Sequence, residues 1–207
     1  MQESQPNDAL RRQRLKLLLI FFLFALPLLA AVIWHVNSDR WRPGTTTNYG
    51  ELIVPARPLA PFDMLGLDGA HITQDFLRGK WTLVYVGPAE CGAACRGNLY
   101  KMRQARLALN EKMERVQRLW VLSDAPHAAP SPVLLSEHPG LAVAKPDTAE
   151  LEHFMIQFNH PGDPSSGPDR IYLIDPLGNL MMQYPAAADP KGLLKDLQRL
   201  MITSWVG

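Results

Sequence analysis

An apolar segment near the N-terminus is the strongest pattern in the sequence. Every residue from 17 to 33 is apolar, and the stretch extends to residue 36. About 20 apolar residues are enough for a helix to cross the hydrocarbon core of a bilayer, and a proline such as Pro27 is tolerated there. No polar face interrupts the segment, which disfavours a helix in the core of a soluble domain. The pattern therefore predicts a transmembrane helix over residues 17–36.

The charges beside this segment predict its orientation. The N-terminal flank carries four basic residues, Arg11, Arg12, Arg14 and Lys16. On the other side, Arg40 and Arg42 are offset by Asp39. Because positive charges favour the cytoplasmic side, we expect a bacterial-type inner-membrane protein with a cytoplasmic N-terminus and a periplasmic C-terminal domain. A cleaved signal sequence is the alternative, although the segment has no good small-residue cleavage site.

The rest of the chain alternates between strand and helix patterns. Short apolar stretches predict buried strands over residues 80–86, 116–122, 141–144 and 171–174. Apolar residues at helical spacing predict helices over residues 92–113 and 148–158. A last helix begins with Asp189 as its N-cap and Pro190 as its first residue. Turn residues predict a hairpin at Asp68-Gly69 and another at residues 175–178.

This order of elements predicts both fold and domain organisation. A hairpin, a β-α-β unit, a helix, a second hairpin and a final helix indicate a three-layer α/β domain with a mixed sheet. That arrangement is the thioredoxin-like fold. We expect a cytoplasmic N-terminus (1–16), a transmembrane helix (17–36), a linker (37–57) and a thioredoxin-like domain (58–207). Prolines in and near the linker exclude a helix there.

Composition narrows the classes of function. Hydrophobic residues make up 47% and charged residues 20% of the chain, which is typical of a globular protein. A net charge of +1 argues against nucleic acid as a partner. The two cysteines are too few for a disulfide-dense scaffold or a four-cysteine zinc module. The sequence has neither a glycine-rich phosphate loop nor a Ser/His/Asp motif.

The two cysteines are the strongest candidate site. Cys91 and Cys95 lie four residues apart, where a buried strand ends and a helix begins. Both sulfurs then share one side of a helical turn, where helix N–H groups and Arg96 stabilise a thiolate and Glu90 opposes them. A thiolate is both the nucleophile of disulfide exchange and a soft ligand for Cu(I). Both chemistries fit the pair, and so does a purely structural role in a helix–sheet contact.

Several stretches of the sequence have the character of one known family. They are residues 62–69 (FDMLGLDG), 77–87 (LRGKWTLVYVG), 91–95 (CGAAC), 122–126 (LSDAP) and 172–178 (YLIDPLG). With the N-terminal span, they resemble the Sco/SenC family of membrane-anchored, thioredoxin-like proteins, over about residues 55–203. The resemblance implies a cytochrome c oxidase assembly factor that acts through Cys91 and Cys95 on a copper-binding oxidase subunit. It implies either thiol–disulfide exchange on that subunit or Cu(I) transfer to it, as a copper chaperone.

One departure from the family pattern concerns the third copper ligand. The family uses both cysteines and a histidine five residues before the tyrosine of the late strand, where this chain has Gly167. The neighbours Ser166, Pro168 and Asp169 are no substitute as copper ligands. His160 is our candidate for a replacement that completes a site with Cys91 and Cys95, and His153 is a second one. Without a histidine, two thiolates still hold the soft ion Cu(I).

The missing histidine leaves other functions open. It shifts the expectation towards thiol–disulfide exchange, and a general membrane-anchored thiol–disulfide oxidoreductase is the first alternative. The second is a binding module with vestigial cysteines, in which basic residues of the cysteine-bearing helix, Arg103 and Arg106 among them, dock an acidic partner. Pro168, shortly before the late strand, is also a candidate for the cis-proline that thioredoxin-like folds place facing their cysteines.

Overall fold

The computed structural model describes residues 7–37, 47–124, 128–158 and 169–204. The chain divides after residue 46 into two compact units. In the first unit, helix α1 (Asn7–Asn37) is 31 residues long and includes Pro27. Its segment Arg11–Trp34 is long and apolar enough to cross a membrane, and it is the one such helix in the described part of the chain. The predicted N-terminal apolar helix is therefore present as a candidate transmembrane span.

The second unit is built on one mixed sheet of eight strands. The strands are β1 (Glu51–Pro58), β2 (Asp63–Gly66), β3 (His71–Thr73), β4 (Trp81–Gly87), β5 (Val116–Leu122), β6 (Leu141–Lys145), β7 (Ile171–Ile174) and β8 (Asn179–Tyr184). Their order in the sheet is β1-β8-β7-β4-β5-β6-β2-β3. Strands β4, β5 and β6 are parallel, whereas β4 pairs with β7 in the antiparallel direction. Strand β4 thus lies at the centre, as its continuous apolar sequence predicts.

Helices cover both faces of this sheet. They are α2 (Ala93–Leu107), α3 (Pro132–Glu137), α4 (Thr148–Phe158) and α5 (Pro190–Thr203). On one face, residues of α2 and α5 such as Met102 and Leu197 pack around Trp120. On the other, Phe154 and Phe158 of α4 form a cluster of aromatic side chains with Phe62 and Tyr172. The predicted three-layer, thioredoxin-like α/β fold is confirmed.

The first strand lies where the sequence predicted linker. Strand β1 (Glu51–Pro58) pairs with β8, so the compact unit begins at Thr47 and not at residue 58. Proline removes a ladder hydrogen bond and is tolerated on edge strands. The pairing register of β1 shifts between Leu52 and Arg57, on either side of Pro55. The prolines that exclude a helix therefore leave an edge strand possible.

A buried carboxylate fastens the start of this unit to its last helix. Asp196 of α5 is 2% exposed. It accepts hydrogen bonds from the backbone N–H groups of Tyr49 (3.0 Å) and Gly50 (2.9 Å) and from the Tyr184 hydroxyl (3.2 Å). Gly192 makes room for this contact, since a Cβ atom there would lie 2.7 Å from the Cβ of Tyr49. Three donors thus converge on one side chain.

Candidate dithiol–disulfide site

The two cysteines flank the start of α2. Strand β4 ends at Gly87, and Gly92 is the N-cap of α2, so Cys91 precedes the helix and Cys95 lies in its first turn. The two residues form a disulfide with their Cα atoms 5.2 Å apart, within the usual range for such a bond. Cys91 is 8% exposed and Cys95 is 2% exposed. The pair that the sequence singled out is thus joined at the predicted strand–helix junction.

Hydrogen bonds from neighbouring elements fix the loop that carries Cys91. The indole Nε1 of Trp120, on β5, donates to the carbonyl of Gly87 (3.2 Å). The backbone N–H of Ala89 donates to Oδ1 of Asp124, just beyond the end of β5 (2.8 Å). From α2, Nε of Arg96 donates to the carbonyl of Cys91 (3.1 Å). Residues of β5, of the segment just after it and of α2 therefore all hold the loop beside the disulfide.

Two clefts open beside the disulfide. The first, which we call the Cys95 cleft, has a volume of 460 Å³ and an apolar wall that includes Leu151 and Met155 of α4. The second, the Cys91 cleft, has a volume of 660 Å³ and is lined by Arg96, Asp124 and residues that lead into α3. Glu90 lines both. Each cysteine therefore borders a different open surface.

Asp169 is a residue of this site that sequence reasoning missed. It lines the Cys95 cleft and lies just before β7, the strand that pairs Ile171 with Tyr85 of β4. The hydroxyl of Tyr85 donates to Oδ1 of Asp169 (2.9 Å), and Nδ2 of Asn98 donates to its carbonyl (2.9 Å). Burial, and then the Asp169 carboxylate, raise the pKa of Tyr85, so the phenol stays protonated and remains a donor.

The structure does not bring a described histidine to the cysteines. His153 lines a separate cleft together with Phe62 and Asp63, and the clefts at Cys91 and Cys95 have no described histidine in their walls. The candidates His160 and Pro168 lie outside the described residues. Over the ranges that the structure describes, no group of three or more His, Cys, Asp or Glu side chains is placed to hold a metal ion. In that part of the chain, the soft groups that line the two clefts and suit Cu(I) are the reduced cysteines and the thioether of Met155.

Two cationic side chains of the cysteine-bearing helix α2 make contacts within the same domain. Nε of Arg106 donates to the carbonyl of Val116 (2.7 Å), and its Nη2 lies 3.2 Å from a carboxylate oxygen of Glu114. The ammonium of Lys101 donates to the carbonyl of Ala186. These contacts give the two cations a structural role, whereas the binding-module hypothesis expected Arg106 to face a partner.

The fold and the joined cysteines define a class of protein: a thioredoxin-like domain with a dithiol–disulfide site at the N-terminus of a helix. Residues 81–204 match the model of the family described as transmembrane-like, thioredoxin-like, C-terminal domain. The chain belongs to that family.

Relatives of known identity confirm the resemblance to Sco proteins. Protein SCO1 homolog 1, mitochondrial, from Arabidopsis thaliana is 29% identical over 92 residues, which are 41% of this chain and 27% of that protein. The chain thus spans about a quarter of the length of this curated relative.

Solved structures of Sco proteins share the fold. Yeast Sco1 with copper bound is 21% identical, with a TM-score of 0.60 over 71% of this chain and 94% of that one. BsSco, a member of the Sco family of cytochrome c oxidase assembly proteins studied for a disulfide switch, is 15% identical, with a TM-score of 0.58 over 74% and 99% of the two chains. At these identities the likeness establishes the fold.

Proposed function

We propose that this chain is a membrane-anchored thiol–disulfide exchange protein whose partner is the copper-binding subunit of a respiratory oxidase. The observation that carries the proposal is the Cys91–Cys95 disulfide, held at the start of α2 between two open clefts. Helix α1 anchors the protein, with residues 1–16 in the cytoplasm and the thioredoxin-like domain on the opposite side. Disulfides form and persist on that side of the membrane.

The reaction is a two-step exchange of electrons between thiols. In the reduced protein, the thiolate of Cys91, the more exposed of the two residues, attacks one sulfur of a partner disulfide and releases the first partner thiolate. The thiolate of Cys95 then attacks the sulfur of Cys91 and releases the second. The partner gains two electrons, and this chain ends with its Cys91–Cys95 disulfide. A dithiol reductant of the same compartment restores the starting state.

Two features support an oxidase subunit as the partner. BsSco belongs to a family of cytochrome c oxidase assembly proteins, and this chain shares its fold. Cysteine ligands bind copper as thiolates, whereas a disulfide supplies none. Reduction of a copper site in the partner therefore has to precede its loading with metal.

Cu(I) transfer is the second candidate function, with copper as cargo. It is supported by yeast Sco1, whose solved structure holds copper, and by the soft thiolates of the reduced pair. Exchange is the stronger candidate because, among the described residues, no histidine lines the two clefts at the cysteines. His160 remains our candidate for that ligand.

The proposal is tested with the reduced full-length chain in detergent, without oxygen, mixed with an oxidised peptide from the subunit that carries a disulfide at its copper-binding segment. We expect one peptide disulfide to be reduced for each Cys91–Cys95 disulfide formed, measured by mass spectrometry after thiol alkylation. The Cys91→Ser variant, which lacks the attacking thiolate, is the control and is expected to leave the peptide oxidised.

Three outcomes separate the candidate functions. If the peptide stays oxidised while the reduced chain binds one equivalent of Cu(I) in competition with a chelator, copper transfer replaces exchange as the proposed function. Equally fast reduction of an unrelated disulfide peptide indicates a general oxidoreductase. Failure in both assays favours the binding module.

A further inference from the structure

Helix α5 presents a line of cations to solvent. Lys191, Lys195 and Arg199 are exposed, and their spacing of four residues places them along one side of the helix. We call these three residues the α5 stripe. No ion pair joins any of them to a carboxylate of the described residues. Like charges four residues apart repel one another, and a cation in the first turn, such as Lys191, opposes the helix dipole. The stability of α5 therefore does not explain the stripe.

The two helix layers of the domain differ in charge. Helix α2, which packs on the same face of the sheet as α5, contributes four cations and no carboxylate. On α5 the single carboxylate, Asp196, is buried, and Asp189 is exposed at the N-cap. On the opposite face, α4 has two glutamates and no lysine or arginine. The layer formed by α2 and α5 is therefore the basic side of the domain.

The first residues of the second unit lie on the α5 stripe. Nη1 of Arg199 donates to the carbonyl of Thr47 (2.8 Å). Nζ of Lys195 donates to the hydroxyl of Tyr49 (3.0 Å) and lies 5.1 Å from the centre of its ring. Nine residues, 38–46, separate α1 from Thr47, and a chain of that length spans at most about 35 Å. The stripe thus borders the point at which the chain from the candidate membrane span enters the domain.

We propose that the α5 stripe docks the second unit on anionic lipid headgroups of the membrane that α1 spans. Cations near an anionic bilayer are attracted to it over about a Debye length, and a short tether keeps them at a high effective concentration beside the headgroups. Docking through this layer leaves α4, which forms the apolar wall of the Cys95 cleft, on the side away from the lipid. This docking depends on α1 as the anchor and is independent of the exchange reaction.

Lipid fits the stripe better than an acidic protein does. Ile202, which is 74% exposed, follows Arg199 by one helical turn and extends the stripe with an apolar side chain. Cations beside an exposed apolar side chain suit the boundary between headgroups and acyl chains. The tether also brings the stripe to the membrane whether or not a partner protein is present.

The test is a labelling experiment on the full-length, oxidised chain in lipid nanodiscs. One set of nanodiscs is pure phosphatidylcholine, and the other contains phosphatidylcholine and phosphatidylglycerol in equal parts. A neutral reagent acetylates exposed lysines, and mass spectrometry gives the rate at each one. We expect Lys191 and Lys195 to react about tenfold more slowly in the anionic nanodiscs, and equally in both sets at high salt. Lys145, on β6, is the internal control and is expected to react equally in both.

Lys191→Gln is the variant that tests the charge itself. Among the described residues, the Lys191 side chain makes no hydrogen bond or ion pair, and its charge opposes the helix dipole, so the fold is expected to tolerate its loss. We expect the protection of Lys195 in anionic nanodiscs to fall roughly fivefold. Lys145→Gln is the matched control, which removes the same charge from β6 and is expected to leave the protection of Lys195 unchanged.

Four outcomes contradict the docking of α5 on lipid. They are equal labelling of Lys191 and Lys195 in the two sets of nanodiscs, protection that persists at high salt, and an equal loss of protection in Lys145→Gln. The fourth is protection that appears only when an acidic protein is added, which would assign the stripe to a protein partner. None of these rates involves a partner disulfide, so they are the same whether or not the oxidised peptide is reduced in the exchange assay.

Discussion

In cells that lack this protein, the Cys91→Ser/Cys95→Ser variant is expected to restore no more respiratory oxidase activity than an empty vector. Serine is close in size to cysteine, so the loop at the start of α2 keeps its hydrogen bonds to Trp120 and Asp124. A hydroxyl is neither a nucleophile for disulfides nor a soft ligand for copper. Oxidase activity in membranes, normalised to the amount of variant protein, provides the measurement.

A second substitution distinguishes a chemical role of the cysteines from a role of the α2 surface in binding a partner. Charge reversal at Arg103, on the same helix, leaves both sulfurs in place and is expected to retain most of the oxidase activity. The opposite pattern, with full activity in the double serine variant and loss in Arg103→Glu, would assign the function to a binding surface. That result would make the cysteines structural.

The Asp196→Ala variant is expected to lower the free energy of unfolding by about 3 kcal/mol. The substitution removes the carboxylate acceptor of three donors, the N–H groups of Tyr49 and Gly50 and the hydroxyl of Tyr184, and the hydroxyl then has only the sulfur of Met182 as an acceptor. Each buried donor without a partner costs about 1–3 kcal/mol, and water that enters the space recovers part of that. Denaturant unfolding of the full chain, followed by a probe in the second unit, measures the loss.

Tyr184→Phe is the matched control for this substitution. It removes one of the three donors and leaves the carboxylate of Asp196 bonded to the backbone, so we expect a loss of about 1 kcal/mol. If Asp196→Ala unfolds within 1 kcal/mol of the unchanged protein, the carboxylate does not fasten the start of the unit to α5. The expectation that Asp196→Ala loses more free energy of unfolding than Tyr184→Phe is therefore as informative as the size of either loss.

The sequence predicts the central strands and helix α4 well because their patterns are local, whereas the helix predicted over residues 92–113 ends at Leu107. Strands β5 and β7 and helix α4 have the predicted limits, Val116–Leu122, Ile171–Ile174 and Thr148–Phe158. The two strands are buried between the helix layers, which requires a continuous apolar sequence, and the helix packs on the sheet, which requires a periodic one. Strand β1 was missed because an edge strand with prolines has no such pattern. Its partner, β8, lies more than a hundred residues along the chain, where Glu51 pairs with Gln183.

The sequence predicted the part of the candidate site whose residues are close together in the chain. Cys91 and Cys95 follow a buried strand and open a helix, and both facts are visible in a single sequence. The place of Asp169 depends on the pairing of β4 with β7, which brings Tyr85 beside Ile171. That register is a long-range property, and a sequence without relatives for comparison does not reveal it. The spacing of the family motif led to Gly167. His160, the replacement candidate seven residues before it, lies outside the described residues and stays a prediction.

The most direct test of exchange with an oxidase subunit is a trapping experiment in cells. The Cys95→Ser variant keeps the attacking Cys91 but lacks the thiol that resolves the mixed disulfide, so the partner stays bound through Cys91. We predict that acid quenching and alkylation, followed by mass spectrometry, will identify a disulfide between Cys91 and a copper-ligand cysteine of the oxidase subunit. Reduction should release this subunit, and the double serine variant should not capture it. If Cys95→Ser captures no oxidase subunit in cells that are assembling the enzyme, the proposed function is wrong.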